Sequence, residues 1–100
     1  ANHTLRKLLD AKIHLYYGKI DLAQGRDTDS IRKELESTDR YLEEALTEAR
    51  PAMRERISQL RNEIQALRKD IGEREQSAVR YEKAMADLQV LIRGDVGGSD

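Results

Sequence analysis

Residues 53–92 read MRERISQLRNEIQALRKDIGEREQSAVRYEKAMADLQVLI, and the apolar spacing of this stretch decides the fold. Ile57, Leu60, Ile64, Leu67 and Ile71 alternate steps of three and four residues. Ala78, Tyr81, Met85, Leu88 and Ile92 continue in the same phase, with Arg74 the one polar residue on the stripe. Roughly five heptads in one phase, with no proline inside them, form the pattern of a coiled-coil seam. The spacing predicts one helix from about Ala52 to Arg93, on the order of 60 Å long at ~1.5 Å per residue. Gly72 offers a rival: a stop there would give four helices of similar length in a monomeric bundle. The phase passes through Gly72 unbroken, and Lys69 with Glu73 and Asp70 with Arg74 are helix-compatible pairs. A continuous helix is therefore expected.

Upstream of this stretch the chain reads as an antiparallel helical hairpin over residues 1–50. The first helix, from about Thr4 to Gln24, carries two apolar stripes. Leu9, Ile13, Tyr16, Ile20 and Ala23 form one, with Leu5 beside it; Leu8, Leu15 and Leu22, with Ala11 alongside, form a second face. A helix that is apolar on two sides needs neighbours on two sides. The next helix is expected to cover one stripe, leaving the second face to another partner. Gly18 lies on the Leu8 side and would permit close backbone approach. Gly25 is placed to end this helix in the left-handed cap position, and Asp29 or Ser30 to cap the next. The second helix is expected from Ile31 to about Ala49, with Ile31, Leu35, Thr38, Leu42, Ala45 and Ala49 on its apolar stripe. Pro51 denies a hydrogen bond to the preceding turn and suits the first turn of a new helix. A break or strong kink is expected there, of open angle. The hairpin has no second copy along the chain, so no repeat array is read. Residues 94–100, Gly-Asp-Val-Gly-Gly-Ser-Asp, read as a disordered tail.

The expected fold is therefore all-α: an N-terminal hairpin (1–50) and a long heptad-bearing helix (51–93), three helices assembled as an oligomeric bundle. The hairpin helices are about half the length of the last one, so the edge from Ala78 to Ile92 would overhang them. Such an edge needs cover, most simply from another copy of the chain. The oligomer seam is Ile57, Leu60, Ile64, Leu67, Ile71, Tyr81, Met85, Leu88 and Ile92. On this reading Leu67→Asp or Leu88→Asp would release monomer. Ile at a-type and Leu at d-type positions favour a parallel pair. The flanking charges mildly oppose that, since Arg56 would face Arg61 and Asp70 would face Glu75. Strand orientation stays open.

Composition bounds what such a chain can do. Of 100 residues 37% are charged and 4% aromatic, with no Phe or Trp, which is the profile of long helices around thin cores. The formal net charge of −1 gives no global field for nucleic acid or an anionic membrane. No cysteine is present, so disulfides, thiolate metal sites and thiol nucleophiles are excluded. No apolar run approaches the ~20 residues of a membrane span. Ala1 in place of an initiator Met is expected of a processed or excised chain, and fits a removed signal peptide and a trimmed fragment equally. Cytoplasm and bacterial periplasm both stay open.

Candidate chemistry is sparse. His14 shares a helix face with Asp10 and Asp21, with His3 nearby, but metal-binding helices use closer pairs such as Glu-x-x-His. Arg54, Arg61 and Arg68 repeat every seven residues as a basic stripe that phosphates or acidic partners could use. Glu55, Glu63 and Asp70 interleave it, no stacking aromatics accompany it, and a solvated flank is the default. Arg93-Gly94-Asp95 matches an integrin-binding tripeptide and Asn2-His3-Thr4 a glycosylation sequon, both short enough to arise by chance. No nucleophile–base arrangement, phosphate loop or paired carboxylate in a pocket is visible, so no enzyme, cofactor or metal is expected. The sequence points to a non-enzymatic oligomerisation or protein-interaction module, a scaffold or spacer. It would be a homodimer or pair with another helical protein, or serve as the soluble helical domain of a larger or membrane-attached one. A small-ligand or metal-binding bundle is the first alternative, and binding of nucleic acid or an acidic partner through the arginine stripe the second.

Overall fold

The computed structural model describes residues 2–97, with side chains from His3 to Gly94. Among the described residues four α-helices follow one another: α1 (Asn2–Ala23), α2 (Thr28–Ala45), α3 (Pro51–Lys69) and α4 (Arg74–Gly97), with a short 3-10 turn at Leu46–Glu48. Cross-helix ion pairs give their directions. Lys7 meets Glu44 and His14 meets Glu34 across α1 and α2. Arg61 meets Asp39 and Arg68 meets Glu36 across α2 and α3. Lys83 meets Glu63 across α3 and α4, and Arg80 meets Asp70 at the turn that joins them. Lys19 meets Glu82 across α1 and α4, and Arg74 meets the Leu22 carbonyl. In each pair of helices a later residue on one faces an earlier residue on the other, so all neighbours are antiparallel. The topology is an up-down-up-down bundle.

The single long helix is not there. The chain turns at residues 70–73, and the overall extents of 42 × 17 × 17 Å hold no rod of about 60 Å. The turn is made by side chains and not by a special glycine conformation. Asp70 closes α3 near φ −98°, ψ 10°, with its amide on the Ala66 carbonyl. The buried Ser77 hydroxyl then donates to the Asp70 carbonyl at 2.8 Å, and Arg80 pairs with the Asp70 carboxylate. Among the described residues Gly25 alone has positive φ, so Gly72 is not the device. Ile71 stays fully buried at the inner corner. That is why the seven-residue beat runs through a reversal: the corner residue Ile71 and, on α4, Tyr81, Leu88 and Ile92 keep their places in the core, whereas Arg74 and Ala78 of the same stripe are exposed and Ser77, Ala84 and Leu91 take inner positions instead. The i,i+4 pairs that favour a straight helix are worth ~0.2–0.5 kcal/mol each. Folding back buries Tyr81, Ala84, Leu88, Leu91 and Ile92, at ~1.5–3 kcal/mol for each large side chain. Burial wins.

An overhanging edge from Ala78 to Ile92 would need a second copy; here α1 and α3 cover most of it. Ile57, Leu60, Ile64, Leu67, Ile71, Tyr81, Leu88 and Ile92 lie in the chain's own core, and Met85 packs at its margin. The helix expected to end at Arg93 continues to Gly97. Of the tail expected at 94–100, residues 98–100 lie outside the described residues.

Local signals explain the other boundaries. Gly25 sits at φ 71°, with its amide on Leu22 and that of Arg26 on Asp21, the paired hydrogen bonds of a Schellman cap. Asp27, not Asp29 or Ser30, caps α2: its carboxylate accepts the Ser30 amide at 2.8 Å, and the helix begins earlier than Ile31. The second helix also stops at Ala45, before the expected Ala49. Arg50 is extended (φ −66°, ψ 154°) and Pro51 opens α3, so the expected kink is a full reversal.

Candidate interaction surface

The first helix decides what the bundle leaves open. Leu8, Ala11, Leu15 and Leu22 face the core, with Gly18 buried among them. So the second apolar face of the sequence reading is the inner one. The stripe expected to meet the hairpin partner points away from it. Leu9 is 42% exposed, Ile13 48% and Tyr16 50%, with Tyr17 beside them at 51% and Ile20 half-buried. On α4, Val79 and Val90 are exposed at 71% and 46%. β-Branched residues lose rotamer freedom in a helix, and neither valine is part of the buried core. The sequence carried a cue to this assignment. Small residues at Ala11 and Gly18 mark the side of α1 where another helix comes close, which is the Leu8 side.

Gly18 shows how close. A Cβ on it would fall on the Tyr81 hydroxyl, inside van der Waals contact, and 3.4 Å from the Glu34 Cβ. Tyr81 is fully buried, and its hydroxyl has no hydrogen-bond partner. Burial first, then the nearby carboxylates Glu34 and Asp21, push this phenol above its ordinary range. Next to it a cleft of about 430 Å³ opens between the end of α1 and the start of α4. Its walls are Leu22, Ala23, Ala78 and Tyr81, under a rim of Lys19, Arg74, Glu75 and Glu82.

On the α1–α2 side His14 is clamped. Its ring stacks on Tyr41 (centroids 5.3 Å apart, planes at 20°) and meets the edge of Tyr17 at 6.0 Å. Its Nδ1 lies 2.8 Å from a Glu34 carboxylate oxygen. The imidazole thus turns to Glu34 on the next helix and not to a set shared with Asp10 and Asp21. Among the described residues no three His, Asp or Glu side chains are grouped as metal ligands. Lys7 lies over the Tyr41 ring at 5.5 Å, and its hydrogen bond to Glu44 holds that carboxyl below its ordinary range.

Each arginine of the basic stripe bonds to another part of the same chain. Arg61 donates to both Asp39 oxygens, at 2.9 and 3.2 Å, and to Glu43 at 3.0 Å. Arg68 donates to Glu36 at 2.9 Å, and Arg54 to the Leu46 carbonyl at 2.9 Å. Asp39, first among these partners, raises the Arg61 pKa. These arginines bridge α3 to α2 and to the turn that follows it. Two other guanidinium groups reach helix ends: Arg74 donates to the Leu22 and Arg26 carbonyls, and Arg32 to Arg68 at 3.4 Å. Among the described residues no helix is long and apolar enough to cross a membrane.

Compared with known protein families, with curated proteins and with solved structures, the chain matches none.

Proposed function

We propose that this chain is a non-enzymatic helical interaction module that docks through the outward face of α1. One observation carries the reading: Leu9, Ile13, Tyr16 and Tyr17 stand 42–51% exposed along one side of a helix whose opposite side already completes the core. The bundle folds without them. Burying a large apolar side chain is worth ~1.5–3 kcal/mol, so half-exposed ones each hold back on the order of 1 kcal/mol for a partner. Tyrosine adds a broad ring at low entropic cost, which is why it concentrates at interfaces. The seam argued from the sequence sits in the core, so the docking role passes to this face.

Site-specific photo-crosslinking tests the reading. A benzophenone side chain at Tyr16, in cells that express the protein, is expected to give a discrete higher-mass adduct. The same group at Ser58, on the exposed side of α3, is expected to give none. Adducts at neither position, or equally at both, would refute a docking face on α1.

A further inference from the structure

Resting on that reading, we infer that the occupant of the face is a second copy of this chain, with α1 of one copy against α4 of the other about a twofold axis parallel to the bundle. The register comes from contacts within one copy. Lys19 lies 2.5 Å from Glu82, and Gly18 lies against Tyr81, so α1 and α4 run side by side with these residues level. At that register Ile20 is within a turn of Val79, Tyr16 of Ala86, and Leu9 and Ile13 of Val90. A twofold parallel to the helices keeps every height and exchanges the two sides. The outward residues of α1 then meet those of the partner's α4. Ile20 faces the partner's Val79, Tyr16 the partner's Ala86, and Leu9 the partner's Val90. Three apolar residues on the outer side of α1 thus find an apolar partner residue at their own level.

The charges follow the same register. Lys12, Lys19 and Arg26 recur every seven residues along α1 and its end. Glu75, Glu82 and Gln89 recur every seven along α4, and the Lys19–Glu82 pair sets them opposite one another level by level. About the proposed axis Lys19 also meets the partner's Glu82, so the middle of the basic edge faces an acidic residue while Lys12 faces the neutral Gln89 of the partner subunit. Antiparallel pairing of α1 on the partner's α1 would instead set Lys12 and Lys19 against the partner's Lys12 and Lys19. The size fits as well. A face of 42 by 17 Å covers on the order of 700 Å², near the ~800 Å² per partner of a standard stable interface. The cleft beside Tyr81 falls within this face. Because the contact is isologous, each residue acts twice.

The chain contains no cysteine, so single introduced thiols report pairing cleanly. Ile20→Cys and Val79→Cys, carrying different affinity tags and mixed under mild oxidation, are expected to form the mixed disulfide in excess over either self-pair. Sedimentation of the unmodified protein is expected to give twice the 11.5 kDa chain mass. Val79→Glu, at a site 71% exposed, is expected to weaken the dimer about 100-fold with helical content unchanged. A monomer at all concentrations up to ~1 mM would overturn the inference. So would disulfides dominated by Ile20→Cys self-pairs, or by a Leu9→Cys and Ile20→Cys mixture. A Tyr16 photo-adduct with a different polypeptide, from a chain that is monomeric when pure, would overturn the second copy and leave the docking reading standing.

Discussion

Replacing Gly18 by alanine should destabilise this protein, against the ordinary rule for glycine inside a helix. At a free helical site the change gains up to ~1 kcal/mol. Here the new methyl would occupy the place of the Tyr81 hydroxyl, so the fully buried ring behind it would have to shift out of its packed position. Overpacking of this kind costs ~1–3 kcal/mol, so the net expectation is a loss of about 1 kcal/mol. Tyr81→Phe changes the sign. It deletes a buried hydroxyl that has no partner, a group whose unsatisfied burial costs ~1–3 kcal/mol, and should itself stabilise the fold. In that background the nearest atom to the added methyl is the Tyr81 ring carbon at 3.2 Å, a tight contact a small shift relieves. Gly18→Ala should then be neutral or mildly stabilising. Urea unfolding of the four proteins by far-UV circular dichroism, at one fixed concentration, gives the coupling, expected at about 1 kcal/mol or more. Equal effects of Gly18→Ala in both backgrounds would refute the close approach of α1 to α4 at this point.

Arg74→Ala removes both donors from the carbonyls at the end of α1 and should cost about 1 kcal/mol in urea unfolding. Arg74→Lys should recover little of it, since one ammonium lacks the planar fork. Asp27→Ala should destabilise α2 by uncapping it, whereas Asp27→Asn should keep the cap and lose its acid sensitivity. The Ser30 amide and hydroxyl hold the Asp27 carboxyl below its ordinary range. Its contribution is therefore complete above the unfolded carboxylate pKa of ~4 and lost as pH falls from there through the lower folded value; pH titration of the urea midpoint reads the difference. Leu67→Ala, at a fully buried site, should cost ~2–5 kcal/mol. Leu67→Asp and Leu88→Asp should unfold the chain rather than release a folded monomer, which light scattering combined with circular dichroism separates.

Helix identity was legible from periodicity: the α1 cap at Gly25, the inner stripe of α2 and the start of α3 at Pro51 all follow from local chemistry. The reversal at 70–73 was not. Its makers, Ser77 and Arg80, lie a full turn or more beyond Asp70, and nothing in a linear reading ties a serine hydroxyl to a carbonyl seven positions back. Ile71 compounded this, because a corner residue that stays buried leaves the heptad count intact. The candidate face was half legible. Both stripes of α1 were visible, but their assignment to inside and outside depended on reading Gly18 and Ala11 as the close-packed side. Val79 and Val90 carried no periodic signal, since lone valines on a charged helix are unremarkable until their neighbours are known.

Three helix ends in this bundle are held by guanidinium groups from other parts of the chain: Arg74 at the close of α1, Arg32 at the close of α3, and Arg54 on the turn after α2. A terminus tied in this way does not fray alone, because opening one helix end strips a donor anchored in another. Amide hydrogens near Leu22, Leu46 and Arg68 should accordingly exchange with whole-molecule opening more than with local breathing. The chain would behave as a stiff peg, lending its outer face to a partner without first having to order it.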